Sequence, residues 1–341
     1  MIRAATPGDI DRVAAVVVDE PVGWISAERF RADLAAHMYR PEWTWIAERD
    51  GQIIARALWW GLANDTHPVA LDCLSVDPSV PDRAALAAEL LGAGMSALGA
   101  PVAPQFTVSV AAGWRDDPAT TAAVGWRRDA AVAAGLTDEV ERLRFEWTPG
   151  PVGPSASEGG DVGTVTVGKG DRLVFKEASD EEFLHAFRRV ASGSLDAQTR
   201  RTVAADGVDA AARAEMNFCL GCPGDRSWWR IATTADGVLV GLAVPSATPY
   251  HRNVGYLGVV PEMRGRGYVD DILGEITRLH AADGAQVITA TTDAANTPMA
   301  AAFVRAGYRT TEIRIVYSAP VAGEASSLPP SAGETDGPPA R

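Results

Sequence analysis

The chain reads as an α/β protein in which one architecture, a central mixed sheet flanked by helices, occurs twice in tandem. Three observations carry that reading. Its 341 residues suffice for two domains of roughly 100–200 residues each. The segment from Thr148 to Gly170, with seven Gly and three Pro in 23 residues, divides the chain into halves of similar length. Such a composition buries too little apolar surface to offset the entropy of ordering. The two halves then repeat the same landmarks in the same order, the mark of a duplicated unit. The resulting division is a first domain over 1–147, a linker over 148–170, a second domain over 171–318 and a tail over 319–341. The tail holds five Pro and no aromatic residue and reads as disordered.

The first landmark is a hairpin. Trp45–Ile54 and Arg230–Val240 each run apolar, turn at Asp-Gly and run apolar again, and Asp-Gly suits the positive-φ turn that joins twisted strands. The second is a strand ended by proline and followed by a helical pattern, Leu74–Pro78 matching Leu257–Pro261. The third is a helix closed by Gly and followed by a strand. Ala134-Gly135-Leu136 with Leu143–Trp147 matches Ala306-Gly307-Tyr308 with Ile313–Tyr317. Each half therefore reads strand, two helices, three strands, helix, strand, helix, strand.

In the second half the first strand is expected near Arg172–Ala178. Ser179-Asp180-Glu181-Glu182 is a capping box opening a helix through Phe183, Leu184, Phe187 and Val190. A second helix follows over about Ala197–Leu220. Strands come near Trp228–Thr234, Val238–Val244 and Val254–Val260. A helix from about Gly265 to Ala282, a strand Gln286–Thr291, a helix Pro298–Ala306 and a strand Thr311–Ser318 complete the half.

Composition excludes several classes. The 47% hydrophobic and 22% charged residues are ordinary for a soluble globular chain. No stretch approaches the ~20 apolar residues of a membrane helix. The N-terminus lacks the basic and apolar regions of a secretory signal, so cytoplasmic localisation is expected. Three cysteines make no disulfide framework. A formal net charge of −13 argues against nucleic-acid binding, which needs a basic surface.

The chemistry sits in Val259-Val260-Pro261-Glu262-Met263-Arg264-Gly265-Arg266-Gly267-Tyr268-Val269-Asp270-Asp271. A strand ends, a basic glycine-containing loop follows, and a helix begins inside it. Helix N-termini offer unpaired N–H groups and a positive dipole end, and glycines let an anion approach the backbone. Arg264 and Arg266 add charge. The pattern is neither a Walker loop nor a dinucleotide fingerprint. Glu262, Asp270 and Asp271 read as carboxylates serving the dipole end. At the corresponding place the first half has Asp77, Pro81 and Asp82 and no Gly-x-Gly, so it reads as a degenerate copy without a cofactor site.

Over about Arg172–Ser318 the sequence resembles the GNAT superfamily of N-acetyltransferases. Arg264-Gly265-Arg266-Gly267-Tyr268-Val269 follows that family's phosphate-loop signature except at Val269, where the family has a small residue. Asn296, the helix after it and Gly307-Tyr308 resemble the next family motif, in which the Asn contacts the cofactor arm. The two-domain arrangement is similar to that of mycothiol synthase-like enzymes. The resemblance implies two tandem GNAT folds and acetyl-CoA as donor, with no metal. The cofactor would meet Val259, Val260, Arg264, Gly265, Arg266, Gly267, Tyr268, Val269, Asn296 and Phe303. The thioester carbonyl would be polarised by the N–H of Val259 or Val260. Phe303 falls where the family has a Tyr acid, and phenylalanine donates no proton. Either the acid comes from elsewhere or the thiolate leaves unprotonated. Candidates for the base are Glu215, His251 and Asp293. A small amine is the expected acceptor in preference to a protein lysine. The alternative is an inactive acetyl-CoA-binding sensor.

Two further patterns are read as structural. Cys219-Leu220-Gly221-Cys222 has too few companions for zinc, which takes four ligands. Trp59-Trp60 and Trp228-Trp229 are expected at corresponding hairpins, one residue of each pair in the core.

Overall fold

The computed structural model describes residues 1–149 and 172–320. Beyond Thr148 and Pro149, and beyond Ala319 and Pro320, the linker and tail inferred from composition lie outside the described residues. The first half runs β1 (Ile2–Ala4), α1 (Ile10–Ala14), α2 (Ala27–Ala35), β2 (Thr44–Arg49), β3 (Gln52–Trp60), β4 (Ala70–Val76), α3 (Arg83–Leu98), β5 (Gln105–Val110), α4 (Pro118–Ala133) and β6 (Asp138–Trp147). The second repeats the order with β7 (Val174–Lys176), α5 (Asp180–Ala191), α6 (Ala197–Gly221), β8 (Arg230–Thr233), β9 (Leu239–Ala247), β10 (Arg252–Val259), α7 (Tyr268–Ala282), β11 (Ile288–Asp293), α8 (Thr297–Arg305) and β12 (Arg309–Ser318).

Local chemistry sets the element boundaries. Asp50 and Gly51 both have positive φ, 51° and 75°, as the two-residue turn between β2 and β3 demands. Ser179 and Glu182 form the reciprocal capping box of α5. Two expectations are corrected. Helix α7 starts at Tyr268 rather than Gly265, because Gly265 and Gly267 both sit at φ 74° and hold the intervening loop out of the helix. The tryptophan pairs do not correspond: Trp59-Trp60 end the second strand of one hairpin, whereas Trp228-Trp229 precede the first strand of the other. One of each is still core, Trp59 at 1% and Trp229 at 3% exposure.

All twelve strands form one sheet, ordered β1-β2-β3-β4-β5-β12-β6-β11-β10-β9-β8-β7. Its centre shows an exchange. The last strand of each half lies beside the fifth strand of the other: β12 pairs antiparallel with β5, and β6 with β11. The two exchanged strands pair antiparallel with each other from Arg309↔Glu146 to Ser318↔Asp138. The cores follow. Phe145 and Trp147 of β6 pack into the second half's core, and Ile315 and Tyr317 of β12 into the first half's. Phe145 stacks on Phe303 of α8 with centroids 4.8 Å apart.

Strands β10 and β11 pair in parallel only at Arg252↔Ile288 and Asn253↔Thr289, then diverge. The cause is a bulge. Between Asn253 and Tyr256 the register of β10 against β9 shifts, two residues facing only Pro245, which has no N–H to donate. Gly255 takes φ 70° there, and a Cβ on it would collide with the Val244 carbonyl oxygen. Strands β4 and β5 diverge in the same way after Leu71↔Phe106, where β4 carries its own irregularity against β3.

Because each half's core needs the other half's strand, Phe145→Ala is expected to lower the stability of the whole chain by about 3–5 kcal/mol. Urea unfolding followed by tryptophan fluorescence should remain one transition for wild type and variant. Two separated transitions in the wild type would show that the halves unfold independently.

Candidate functional site

The open end of the β10–β11 cleft meets the N-terminus of α7. Helices α2, α3, α4, α5, α6 and α8 each have a side-chain oxygen accepting a first-turn N–H. Helix α7 has none, its cap position being Gly267. The N–H groups of Gly265, Arg266, Gly267, Tyr268 and Val269 find no acceptor among the described residues. Their carbonyls, by contrast, are tied down: Arg172 donates to the carbonyls of Arg266 at 2.9 Å and Gly267 at 3.3 Å and pairs with Asp271. Donors without acceptors at a helix N-terminus, with the peptide oxygens turned away, form an anion cradle. Asp270 is neutralised by Arg305 at 2.6 Å, and Glu262 by Arg189. The carboxylates of this loop therefore leave its positive end uncancelled.

The two loop arginines differ. Arg266 is exposed. Arg264 is turned inward. Its Nε donates to the Val259 carbonyl at 2.9 Å and an NH2 group reaches the Gly193 carbonyl. It fastens the loop to the end of β10 and to the turn between α5 and α6, and burial pulls its pKa down. Tyr268 and Val269 lean on the core. Asn296 caps α8 by accepting from the Met299 N–H at 3.4 Å.

The alternation of an antiparallel ladder separates Val259 from Val260. The Val260 N–H donates to Val240 in β9 at 2.9 Å. The neighbouring Val259 N–H therefore points the other way, into the gap that β11 has left. It is a fixed donor without a strand partner.

The three base candidates sit in different surroundings. Glu215 is half-buried on α6, with Cys219 one turn on, its thiol 4.0 Å away. Burial pushes the Glu215 carboxyl up to about 7, nearby Asp196 adds to the rise, and Arg142 opposes it. Tyr256 of β10 is close enough that Glu215 helps hold its phenol protonated, after burial itself. Asp293, at the end of β11, is spent on structure: Oδ2 accepts the Ala197 N–H at 2.7 Å and Oδ1 pairs with Arg142 at 3.0 Å. His251 is exposed at the opposite end of β10, roughly 25 Å from Val259 at strand rise. Phe303 lies on α8. At 2% exposure it packs in the core between Phe145 and Tyr308.

The matching region of the first half is lined differently. Asp82 caps α3, accepting from the Ala85 N–H at 2.9 Å. Arg127 of α4, 2% exposed, donates to the Leu74 carbonyl on β4 from two nitrogens at 3.0 and 3.2 Å. Glu20 binds Arg127 at 2.7 Å, Arg83 at 2.8 Å and the Trp126 indole at 3.0 Å. Neither Arg172 nor this Glu20–Arg127 plug was singled out from sequence. Both are long-range pairs that no local pattern marks.

No family model matches the chain, and no curated protein does. Solved structures do. A GCN5-related N-acetyltransferase from Sphaerobacter thermophilus is 17% identical, with a TM-score of 0.51, over 93% of this chain and 94% of that one. A tandem GNAT protein from the clavulanic acid biosynthesis pathway is 15% identical at TM-score 0.45, covering 94% and 98%. An acetyltransferase of the GNAT family from Colwellia psychrerythraea is 13% identical at 0.44, covering 93% and 99%. The fold is thus the GNAT fold, a mixed sheet flanked by helices, present twice. Among the described residues no helix is long and apolar enough to cross a membrane, and no group of three or more His, Cys, Asp or Glu could hold a metal ion.

The burial of Glu215 has a stability consequence. Its folded pKa lies above its unfolded value, so the folded state keeps the proton more tightly. The contribution of Glu215 to stability is complete below about pH 4.5 and is lost as pH rises through 7. Glu215→Gln is expected to match wild type at pH 4 and to exceed it by about 2 kcal/mol at pH 8. Thermal melts across that range check the sign.

Proposed function

We propose that this chain is an acyltransferase that moves an acetyl group from acetyl-CoA to a small primary amine through its second half, the first half being a closed copy. The observation that carries this is the uncapped α7 N-terminus at the mouth of a splayed strand pair. It supplies free donors where an anion would lie and a free strand N–H further in. The fold supports the same reading.

The residues fit such a donor. The N–H groups of Gly265 to Val269 would take its phosphates, with exposed Arg266 beside them. Asn296 keeps its amide nitrogen available at the far wall. Bound acetyl-CoA supplies an activated thioester. The Val259 N–H is placed to donate to a carbonyl oxygen in the gap, a fixed dipole that gains strength as negative charge develops there. Glu215, with its pKa near 7, can take the proton of an attacking amine at neutral pH. Tyr256 and Cys219 stay protonated, because burial raises both. No acid is needed for a thiolate leaving group of modest pKa. A small acceptor suits a half-buried carboxylate. Glu20, Arg127 and Asp82 support a single site per chain.

Calorimetry with acetyl-CoA is expected to show one site. Gly267→Asp, which puts a carboxylate at the cradle and a side chain at φ 74°, should weaken binding by at least about 100-fold. Two sites would overturn the closed first half, and no binding would sink the proposal. With a panel of small amines, thiol release should rise with pH to a plateau, with an inflection near 7. Glu215→Gln should lose most of the rate and the inflection. Binding without turnover on any amine would favour a sensor.

A further inference from the structure

The anion cradle at α7 is held from outside by one residue. Arg172, two positions before β7, donates to the carbonyls of Arg266 at 2.9 Å and Gly267 at 3.3 Å. It also pairs with Asp271 in the first turn of α7 and lies over the Tyr268 ring, 5.0 Å from its centroid. Three acceptors and an aromatic face thus fix one guanidinium.

The geometry of the peptide makes this hold consequential. A planar trans peptide points its C=O and its N–H in opposite directions. The Arg266 carbonyl shares its plane with the Gly267 N–H, and the Gly267 carbonyl with the Tyr268 N–H. Holding both oxygens therefore turns both N–H groups to the opposite side. These are two of the donors that find no acceptor among the described residues. A glycine loop needs such a hold. Gly265 and Gly267 both sit at φ 74°, and without a Cβ the peptides beside them rotate at little steric cost.

The same contact removes a competitor. In the first half Asp82 fills the N-terminus of α3 itself, accepting from the Ala85 N–H at 2.9 Å. Helix α7 carries Asp270 and Asp271 in its first turn, yet no side chain caps it. Arg305 of α8 takes Asp270, and Arg172 takes Asp271, which is 8% exposed.

We propose that Arg172 is a positioning residue of the phosphate site. It aims the Gly267 and Tyr268 N–H groups at the anion and keeps Asp271 from capping α7 in the anion's place. This rests on the reading of the Gly265–Val269 loop as a phosphate site. The role differs from that of exposed Arg266, whose contribution is charge.

The test uses the full chain. Residual dipolar couplings of the Gly267 and Tyr268 amides report N–H direction in the free protein. Calorimetry with acetyl-CoA and with inorganic pyrophosphate reads affinity. Arg172→Gln is expected to change both couplings and to weaken binding of either probe by about tenfold or more. That loss should persist in about 1 M salt, where the screening length is about 3 Å, whereas the loss in Arg266→Gln should shrink. Arg172→Lys keeps the charge without the planar fork that spans two carbonyls, so it should fall between wild type and Arg172→Gln. It also serves if the glutamine variant does not fold. Unchanged couplings in a folded variant overturn the proposal. An affinity loss that disappears at high salt overturns it too, since Arg172 would then supply charge alone. Failure of the wild type to bind acetyl-CoA would defeat the functional reading, while the couplings still decide what Arg172 does to the loop.

Discussion

The antiparallel pairing of β6 with β12 is the contact on which the rest of the molecule depends. Each of these strands closes a core built by the other half, so neither core is complete within its own stretch of chain. Phe145 alone is 1% exposed, and burying a side chain of that size contributes about 1.5–3 kcal/mol. The pairing also decides what flanks each cleft. Beside the splay of β10 and β11 stands β6, a strand of the first half, whose Arg142 pairs with Asp293 at the end of β11.

Both clefts have the same origin and different fates. A bulge ends the parallel pairing of the fourth and fifth strands in each half, and both gaps open onto the N-terminus of a crossover helix. From there the side chains diverge. In the first half a carboxylate caps the helix, an arginine takes the carbonyl of the splayed strand, and Glu20 binds that arginine. In the second half two left-handed glycines and an absent cap leave the same kinds of backbone group unclaimed. The fold provides a gap; a handful of substitutions decide whether the chain fills it itself.

What sequence could show was local. The Asp-Gly turns, the Ser179 capping box and the Arg264–Val269 loop are signals confined to a few residues, and they placed the elements closely. The strand exchange was not legible, because the alternation of β6 and β12 suits either neighbour equally. The contacts of Arg264 were hidden for a related reason: the Val259 and Gly193 carbonyls that it meets lie outside the loop. Phe303 kept its expected place in α8, but α8 turns it toward Phe145, a residue of the other half. Arg142, Arg172 and Arg127 act over separations of 53 to 151 residues, and spacing carries no information at that range.

The balance around Glu215 explains why three carboxylates stand near one arginine. A guanidinium paired directly with Glu215 would hold its carboxylate ionised and push the pKa well below neutrality, leaving a weak base. Arg142 is instead held by Asp196 and Asp293. These two keep its charge near enough to moderate the effect of burial and engaged enough not to cancel it. Asp196 adds a like charge that works with burial. The position of Glu215 near 7 is therefore a compromise among desolvation, one neighbouring anion and one cation that is already occupied. That cation reaches Asp196 and Asp293 because the last strands of the two halves change places.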